Sequence, residues 1–343
     1  MVRLLYSGFR WSHHDELSGY HHVVPSQRDY VDGNKLPGGG SPFRSLANRL
    51  NLFLIDIATC IRGLRHDVVF MFYPEQTVYF SPLFLKWFKV KVVYAVHLKD
   101  DYWFQPGSSM SLRIKKWQMR FVDHFIVLSR DQLISWESRF PGKVSFIPHG
   151  AWCPQDGESP AQFRPWIGIV GDNYRDYDLM REVILHFDRA CPEVVFHLIG
   201  VDKTKLQFPL DQRNVIVHGR LNTEAYRRKL SECSLIYLPL TFATANNALL
   251  EGLSSGTPVA CNEVGGIRDY LFSDEYIAND GEELEAVYRR RAAMTEAEWS
   301  LEQKRMAEFC EMTVNWHSVH RKIDALAASL VDRSNEDAAV VRY

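Results

Sequence analysis

Asn246-Asn247-Ala248-Leu249-Leu250-Glu251-Gly252-Leu253-Ser254-Ser255-Gly256-Thr257-Pro258-Val259-Ala260 reads as a loop that turns into a helix, stops at a Gly-Thr-Pro turn and enters a buried strand. A helix that begins this way presents backbone N–H groups without intrahelical partners and the positive end of its dipole, and together these make an anion site. Glu251, one to two turns in, is placed to reach vicinal hydroxyls of a sugar or ribose attached to that anion. A helix delivered straight into an apolar strand is also one half of a βαβ unit, so the same stretch predicts a parallel sheet.

Outward from it, short apolar runs at residues 166–170, 194–199, 215–217, 235–238 and 258–260 alternate with helical patterns, notably 224–233 and 246–255. An earlier series at 2–6, 68–72, 92–96, 125–128 and 144–147 repeats the arrangement, with a helical stretch over 45–62. Buried strands separated by helices are doubly wound α/β domains. Between the two series, residues 153–165 carry Pro154, Pro160 and Pro165 and no apolar periodicity, the composition of a linker. The expected organisation is a first domain over 1–152, the linker 153–165, a second domain over 166–315 and a C-terminal helix over 316–343 that crosses back to the first domain and ends in an acidic tail. Ligands of such sheets bind at the carboxyl ends of the strands, so function is expected in a cleft lined by those ends.

Composition narrows the classes. The 343 residues carry a net charge of −2, and no stretch approaches the roughly 20 apolar residues of a membrane-spanning helix. The first residues, Met1-Val2-Arg3-Leu4-Leu5-Tyr6, are too short an apolar run for a secretory signal and read as the first strand of a cytoplasmic protein. Six scattered cysteines without a CxxC pair read as reduced, small hydrophobes. Residues 1–165 hold 20 Lys+Arg against 14 Asp+Glu, the remainder 20 against 28. A basic front half meets something anionic, although the overall balance argues against nucleic acid. The first strand is not followed by GxGxxG, which argues against an ordinary dinucleotide-binding dehydrogenase.

The 246–260 stretch resembles the family 4 glycosyltransferases of the GT-B fold, whose hallmark is Glu, seven residues, Glu, then a Gly-x-Pro-Val turn. The resemblance implies two Rossmann-like domains facing a central cleft. It also implies that Glu251 binds the ribose of a nucleotide-sugar while the amides around Asn246, Asn247 and Ala248 hold the diphosphate. Ala243 stands where the first Glu of the motif would be. After the first strand of the second series, Gly171-Asp172-Asn173-Tyr174-Arg175-Asp176-Tyr177-Asp178 occupies the family's Gly-Arg and Lys position. Asp172 and Asp178 replace both cations, which leaves Arg175 as the guanidinium for the phosphates, with Gly171, Asn173, Tyr174, Arg220 and Leu221 as further donor contacts. Val92-Val93-Tyr94-Ala95-Val96-His97 matches the family's strand-then-His, so the resemblance implies that His97 approaches the transferred sugar.

Lys143-Val144-Ser145-Phe146-Ile147-Pro148-His149-Gly150 resembles the family's strand-Pro-Asn-Gly, with His149 as a packed hinge residue. Asn262-Glu263-Val264-Gly265-Gly266 matches its Gly-Gly turn, and Asn315-Trp316-His317 the Trp before the final helix. The loop bearing His13, His14 and Gly19 takes the acceptor-binding place. No bound metal or other cofactor is expected. Lys86-Trp87-Phe88-Lys89-Val90-Lys91 and Arg113-Ile114-Lys115-Lys116-Trp117-Gln118-Met119-Arg120 interleave cations with aromatics, which suits an anionic membrane at the inner face of the plasma membrane. The function implied is retaining transfer from a UDP- or GDP-linked sugar to a saccharide or lipid-linked saccharide in bacterial surface polysaccharide synthesis. The alternatives are a silent GT-B protein that binds sugars or serves as a scaffold, and a nucleotide-sugar 2-epimerase.

Overall fold

The computed structural model describes residues 2–11, 19–26, 29–42, 44–106, 109–153, 163–206, 213–219 and 221–340. The chain divides into two compact units, Met1–Gly150 with Trp316–Tyr343, and Ala151–Asn315. Residues 154–162 of the expected linker lie outside the described residues.

The first unit is built on a six-stranded parallel sheet of β1 (Leu4–Gly8), β2 (Tyr30–Asp32), β3 (Val68–Met71), β4 (Lys91–Val96), β5 (His124–Val127) and β6 (Val144–Phe146). Their order is β2-β1-β3-β4-β5-β6. The register pairs Leu4 with Val68 and Val69 with Val92. β3 is buried throughout and β4 nearly so, which is why they read as continuous apolar runs instead of alternating ones. β2 is not announced by the sequence: three residues at a sheet edge carry too little pattern to stand out. The helix Leu46–Gly63 is started by Ser45, whose Oγ accepts from the Asn48 amide at 3.1 Å, and is tied to β1 by Thr59 against Ser7, 2.6 Å apart. The helix Trp316–Val340 belongs to this unit. Its Trp316 is fully buried and lies so close to Gly150 that any Cβ there would stand 2.3 Å from the indole, and His320 Nδ1 lies 2.8 Å from the Tyr6 hydroxyl.

The second unit has a five-stranded parallel sheet of β7 (Trp166–Val170), β8 (Val195–Ile199), β9 (Val215–His218), β10 (Leu235–Leu238) and β11 (Val259–Cys261), ordered β11-β10-β7-β8-β9. From β7 the chain works outward to β9, then returns to the other side of β7 as β10. Loops leaving these two neighbouring strands therefore diverge and open a crevice at their carboxyl ends. The helix Asn247–Ser254 is buried along nearly its whole length, pressed onto the sheet at Gly252, where a Cβ would come within 2.5 Å of Val259 and 2.9 Å of Ile236. Among the described residues no helix is long and apolar enough to cross a membrane.

Candidate functional site

Of the sequence-predicted donor residues, Gly171, Asn173, Tyr174 and Arg175 lie on the loop that leaves β7, and Asn246, Asn247 and Ala248 at the start of the helix that follows β10. Gly171 leaves β7 with φ +76, a left-handed conformation that glycine adopts without strain, and its amide donates to the Ile199 carbonyl at 2.8 Å. The loop then crosses to the end of β10. Arg175 forms an antiparallel bridge with Leu240, the Asp176 amide donates to Pro239 O at 3.0 Å and the Thr241 amide to Tyr174 O at 2.9 Å. Asp176 accepts from the amides of Asp178 and Leu179 and so starts the helix Tyr177–Ala190. Asn173 is exposed. Tyr174, at φ +55, is half exposed and packs edge-on against Phe242.

Arg175 does not reach out from this loop. Its side chain is 8% exposed and folds back under the loop, where Nε donates to Val170 O at 2.8 Å, Nη1 to Asn173 O at 2.9 Å and Nη2 to Val170 O. Burial pushes the guanidinium down to about 10, with Cys261, Tyr226, Tyr177 and Asp172 acting in the opposite direction. Among the described residues no carboxylate forms an ion pair with it, and a buried charge without a counter-ion is unusual. Three of its five N–H groups lock the loop, and two remain.

Asp172, where the family pattern has a cation, accepts from the Tyr177 hydroxyl and from Lys205 Nζ at 2.8 Å. Burial raises its carboxyl, but those partners outweigh burial and hold it below the usual range. Lys205 leaves the end of β8, and nothing in the sequence spacing marks it.

Beyond Thr241 the chain runs to Asn246, whose Oδ1 accepts from the Leu249 amide at 3.4 Å and caps the helix Asn247–Ser254. The amides of Asn247 and Ala248 have no intrahelical acceptor by their position in the first turn. The approach to this helix is held from behind. Gly265, at φ +41, sits where a Cβ would be 2.6 Å from Ala243 O, and the Gly266 amide donates to that same carbonyl at 3.2 Å. Glu251 is 8% exposed and accepts from the Tyr226 hydroxyl at 2.5 Å. Sequence spacing does not mark Tyr226, whose partner lies 25 residues away. Leu221 packs against the core of the unit, and Arg220 lies outside the described residues.

In the first unit His97 follows β4, its Nδ1 3.3 Å from Ala95 O, and its ring lies against Tyr20 and Tyr73. His149 is buried beside Tyr20 and Trp316. Its Nδ1–H donates to Gly150 O at 2.8 Å and burial pushes the imidazole down to about 4, so the ring is neutral. Gly19 precedes the short helical turn Tyr20–Val23. His13 and His14 lie outside the described residues. Among the described residues no three His, Cys, Asp or Glu side chains are grouped to hold a metal ion.

Residues 164–291 match the family described as Glycosyl transferases group 1. No curated protein matches the sequence. Among solved structures, that of Anabaena HepE in complex with UDP and glucose is similar with a TM-score of 0.62 at 12% identity, covering 96% of this chain and 100% of that one. Sucrose-phosphate synthase from Thermosynechococcus elongatus gives 0.58 at 14%, with 96% and 89% covered. S. aureus TarM, as a point mutant in complex with fondaparinux, α-GlcNAc-glycerol and UDP, gives 0.58 at 15%. That match covers 81% of this chain but only 59% of TarM, so the chain spans about three fifths of that relative's length.

Proposed function

The chain has the GT-B fold of the glycosyltransferases, and from that premise we propose that it moves a sugar from a nucleotide-diphosphate sugar, UDP- or GDP-linked, to a saccharide or lipid-linked saccharide acceptor. The observation that carries this reading is the Arg175 guanidinium, buried in the loop between the ends of β7 and β10 and, among the described residues, without an ion-paired carboxylate. A diphosphate supplies the missing negative charge, with the amides of Asn247 and Ala248 completing its cradle. Glu251 takes the ribose hydroxyls. The first unit takes the acceptor, through Gly19, His13 and His14, and His97 meets the transferred sugar.

The proposed step is retaining. The bond from the anomeric carbon to the diphosphate oxygen breaks, the acceptor oxygen bonds to that carbon on the same face, and the acceptor proton passes to the departing diphosphate. No protein nucleophile and no metal is required, so Ala243 in place of an acid leaves the chemistry intact. Leaving-group stabilisation and proximity supply the rate. Bacterial surface polysaccharide or lipid-linked saccharide synthesis in the cytoplasm is the setting this chemistry fits.

A surface of the first unit supports a lipid-linked acceptor. The helices Ser81–Trp87 and Met110–Gln118 are neighbours, joined where the Leu83 amide donates to Gln118 Oε1 at 3.1 Å. They expose Trp87 (75%), Phe88 just beyond (55%) and Trp117 (44%), together with Met110 and Ile114. Neither helix carries an acidic residue, while Lys86, Lys89, Arg113 and Lys116 surround the apolar side chains. Aromatics among cations match an anionic bilayer surface.

Calorimetric titration with UDP, GDP and ADP tests the core reading: one of the three binds, and a saturating dose raises the melting temperature by several degrees. No binding by any of them overturns the donor assignment, whereas binding without transfer leaves a silent sugar-nucleotide-binding protein. Sedimentation with phosphatidylglycerol vesicles tests the membrane surface. The protein follows these but not phosphatidylcholine vesicles, and Trp87→Ser with Trp117→Ser abolishes the difference.

A further inference from the structure

The hydroxyl of Tyr226 connects two elements that the sequence keeps apart. Tyr226 lies in the first turn of the helix Thr223–Glu232, which Asn222 starts by accepting from the Ala225 amide at 2.8 Å, while Glu251 lies in the helix Asn247–Ser254, which follows β10 in the chain. The Tyr226 ring packs on the apolar core of the second unit, and its hydroxyl reaches the Glu251 carboxylate, 2.5 Å from Oε2. An ionised carboxylate accepts at two oxygens and about four lone-pair sites. A donor fixed on one of them restricts the rotation of the group and therefore where its other lone pairs point. Tyrosine suits that task because its rigid ring has only two side-chain torsions to immobilise.

We infer that Tyr226 is the positioning residue for the ribose site: its hydroxyl orients the Glu251 carboxylate so that the remaining acceptors face the two neighbouring hydroxyls of a nucleoside diphosphate. This rests on the donor reading given above. Tyr226 is also among the groups whose charge interaction raises the Arg175 guanidinium against burial. Without the hydroxyl the carboxylate loses that anchor, and the pair of ribose hydroxyls loses a preformed partner.

The test compares two ligands that differ only at those hydroxyls. Titrations of UDP, GDP and ADP, and of their 2′,3′-dideoxy counterparts, are run on the wild-type chain, Glu251→Gln and Tyr226→Phe. The wild type prefers the ribose form of its nucleotide by about tenfold or more, the equivalent of about 1.4 kcal/mol. Glu251→Gln removes the preference. Tyr226→Phe lowers it at least threefold while leaving affinity for the dideoxy ligand unchanged, which shows that the variant is folded and its phosphate site intact.

Equal weakening of both ligands by Tyr226→Phe, or a full preference retained, overturns the inference and makes Tyr226 a packing residue. A preference that survives Glu251→Gln, or a wild type without one, instead removes Glu251 from the ribose. Failure of every nucleotide to bind removes the donor site and this inference with it.

Discussion

Arg175 shows how far residue type alone takes a prediction. Its presence in the loop after β7 was legible, because it is the only cation there, but the direction of its side chain was not. Rotamer choice is set by the carbonyls of Val170 and Asn173, which a linear pattern does not display. The guanidinium holds the loop, and the proposed donor site adds a second task for its remaining N–H groups, which substitutions separate. Arg175→Ala leaves two inward-facing carbonyls without their donor and is expected to cost about 1–3 kcal/mol in urea unfolding, as well as nucleotide binding in calorimetry. Arg175→Lys keeps the charge but not the fork, so it recovers less than half of the binding energy.

His149 gives a second residue-scale prediction, in pH. Its folded imidazole takes a proton only near 4, whereas unfolded histidine does so near 6.5. Between those values the unfolded chain holds more protons, so stability falls as the solution is acidified from about 6.5 toward 4 and is flat above. His21 and His197 are likewise pushed down to about 4, burial first, and add to the same slope. Urea midpoints at pH 7.5 and 5 measure it, and His149→Asn makes the drop visibly shallower. An unaltered drop in that variant places the effect on the other two rings.

At the scale of elements, the buried strands were the most legible features, since a strand covered on both faces must be apolar throughout and announces itself as a run. The three-residue edge strand Tyr30–Asp32 had no such signature. The helix Asn247–Ser254 was legible from its cap and its closing turn. How tightly it lies on the sheet was not, because that depends on Gly252 meeting side chains of two different strands. Gly252→Ala forces a methyl to within 2.5 Å of Val259. The expected loss is about 1–3 kcal/mol from overpacking, with the helix start displaced and nucleotide affinity lowered. A variant that melts with the wild type would mean the sheet yields at no cost. The pairing of Tyr226 with Glu251 belongs to this scale too: two helices separated by a strand meet only once the sheet order is known.

On the scale of the whole molecule, one unit is continuous in sequence and the other is not. Ala151–Asn315 contains all five strands of its sheet, whereas the first unit needs Trp316 to fill the space beside Gly150, Tyr20 and His149. Residues 151–315 expressed alone are expected to unfold in one cooperative transition. Trp316→Ala in the full chain destabilises the first unit by about 3–5 kcal/mol, leaving two separated transitions in calorimetry. A single unshifted transition would contradict the assignment of that helix. The division has a further consequence for biosynthesis. On the ribosome the amino-terminal sheet emerges first but must wait, incomplete, through the synthesis of residues 151–315, during which the inserted unit has time to finish. The helix that begins at Trp316 closes the first unit, so a chain stopped before Trp316 carries a complete second unit and a first unit whose apolar space beside Gly150, Tyr20 and His149 stays open to aggregation.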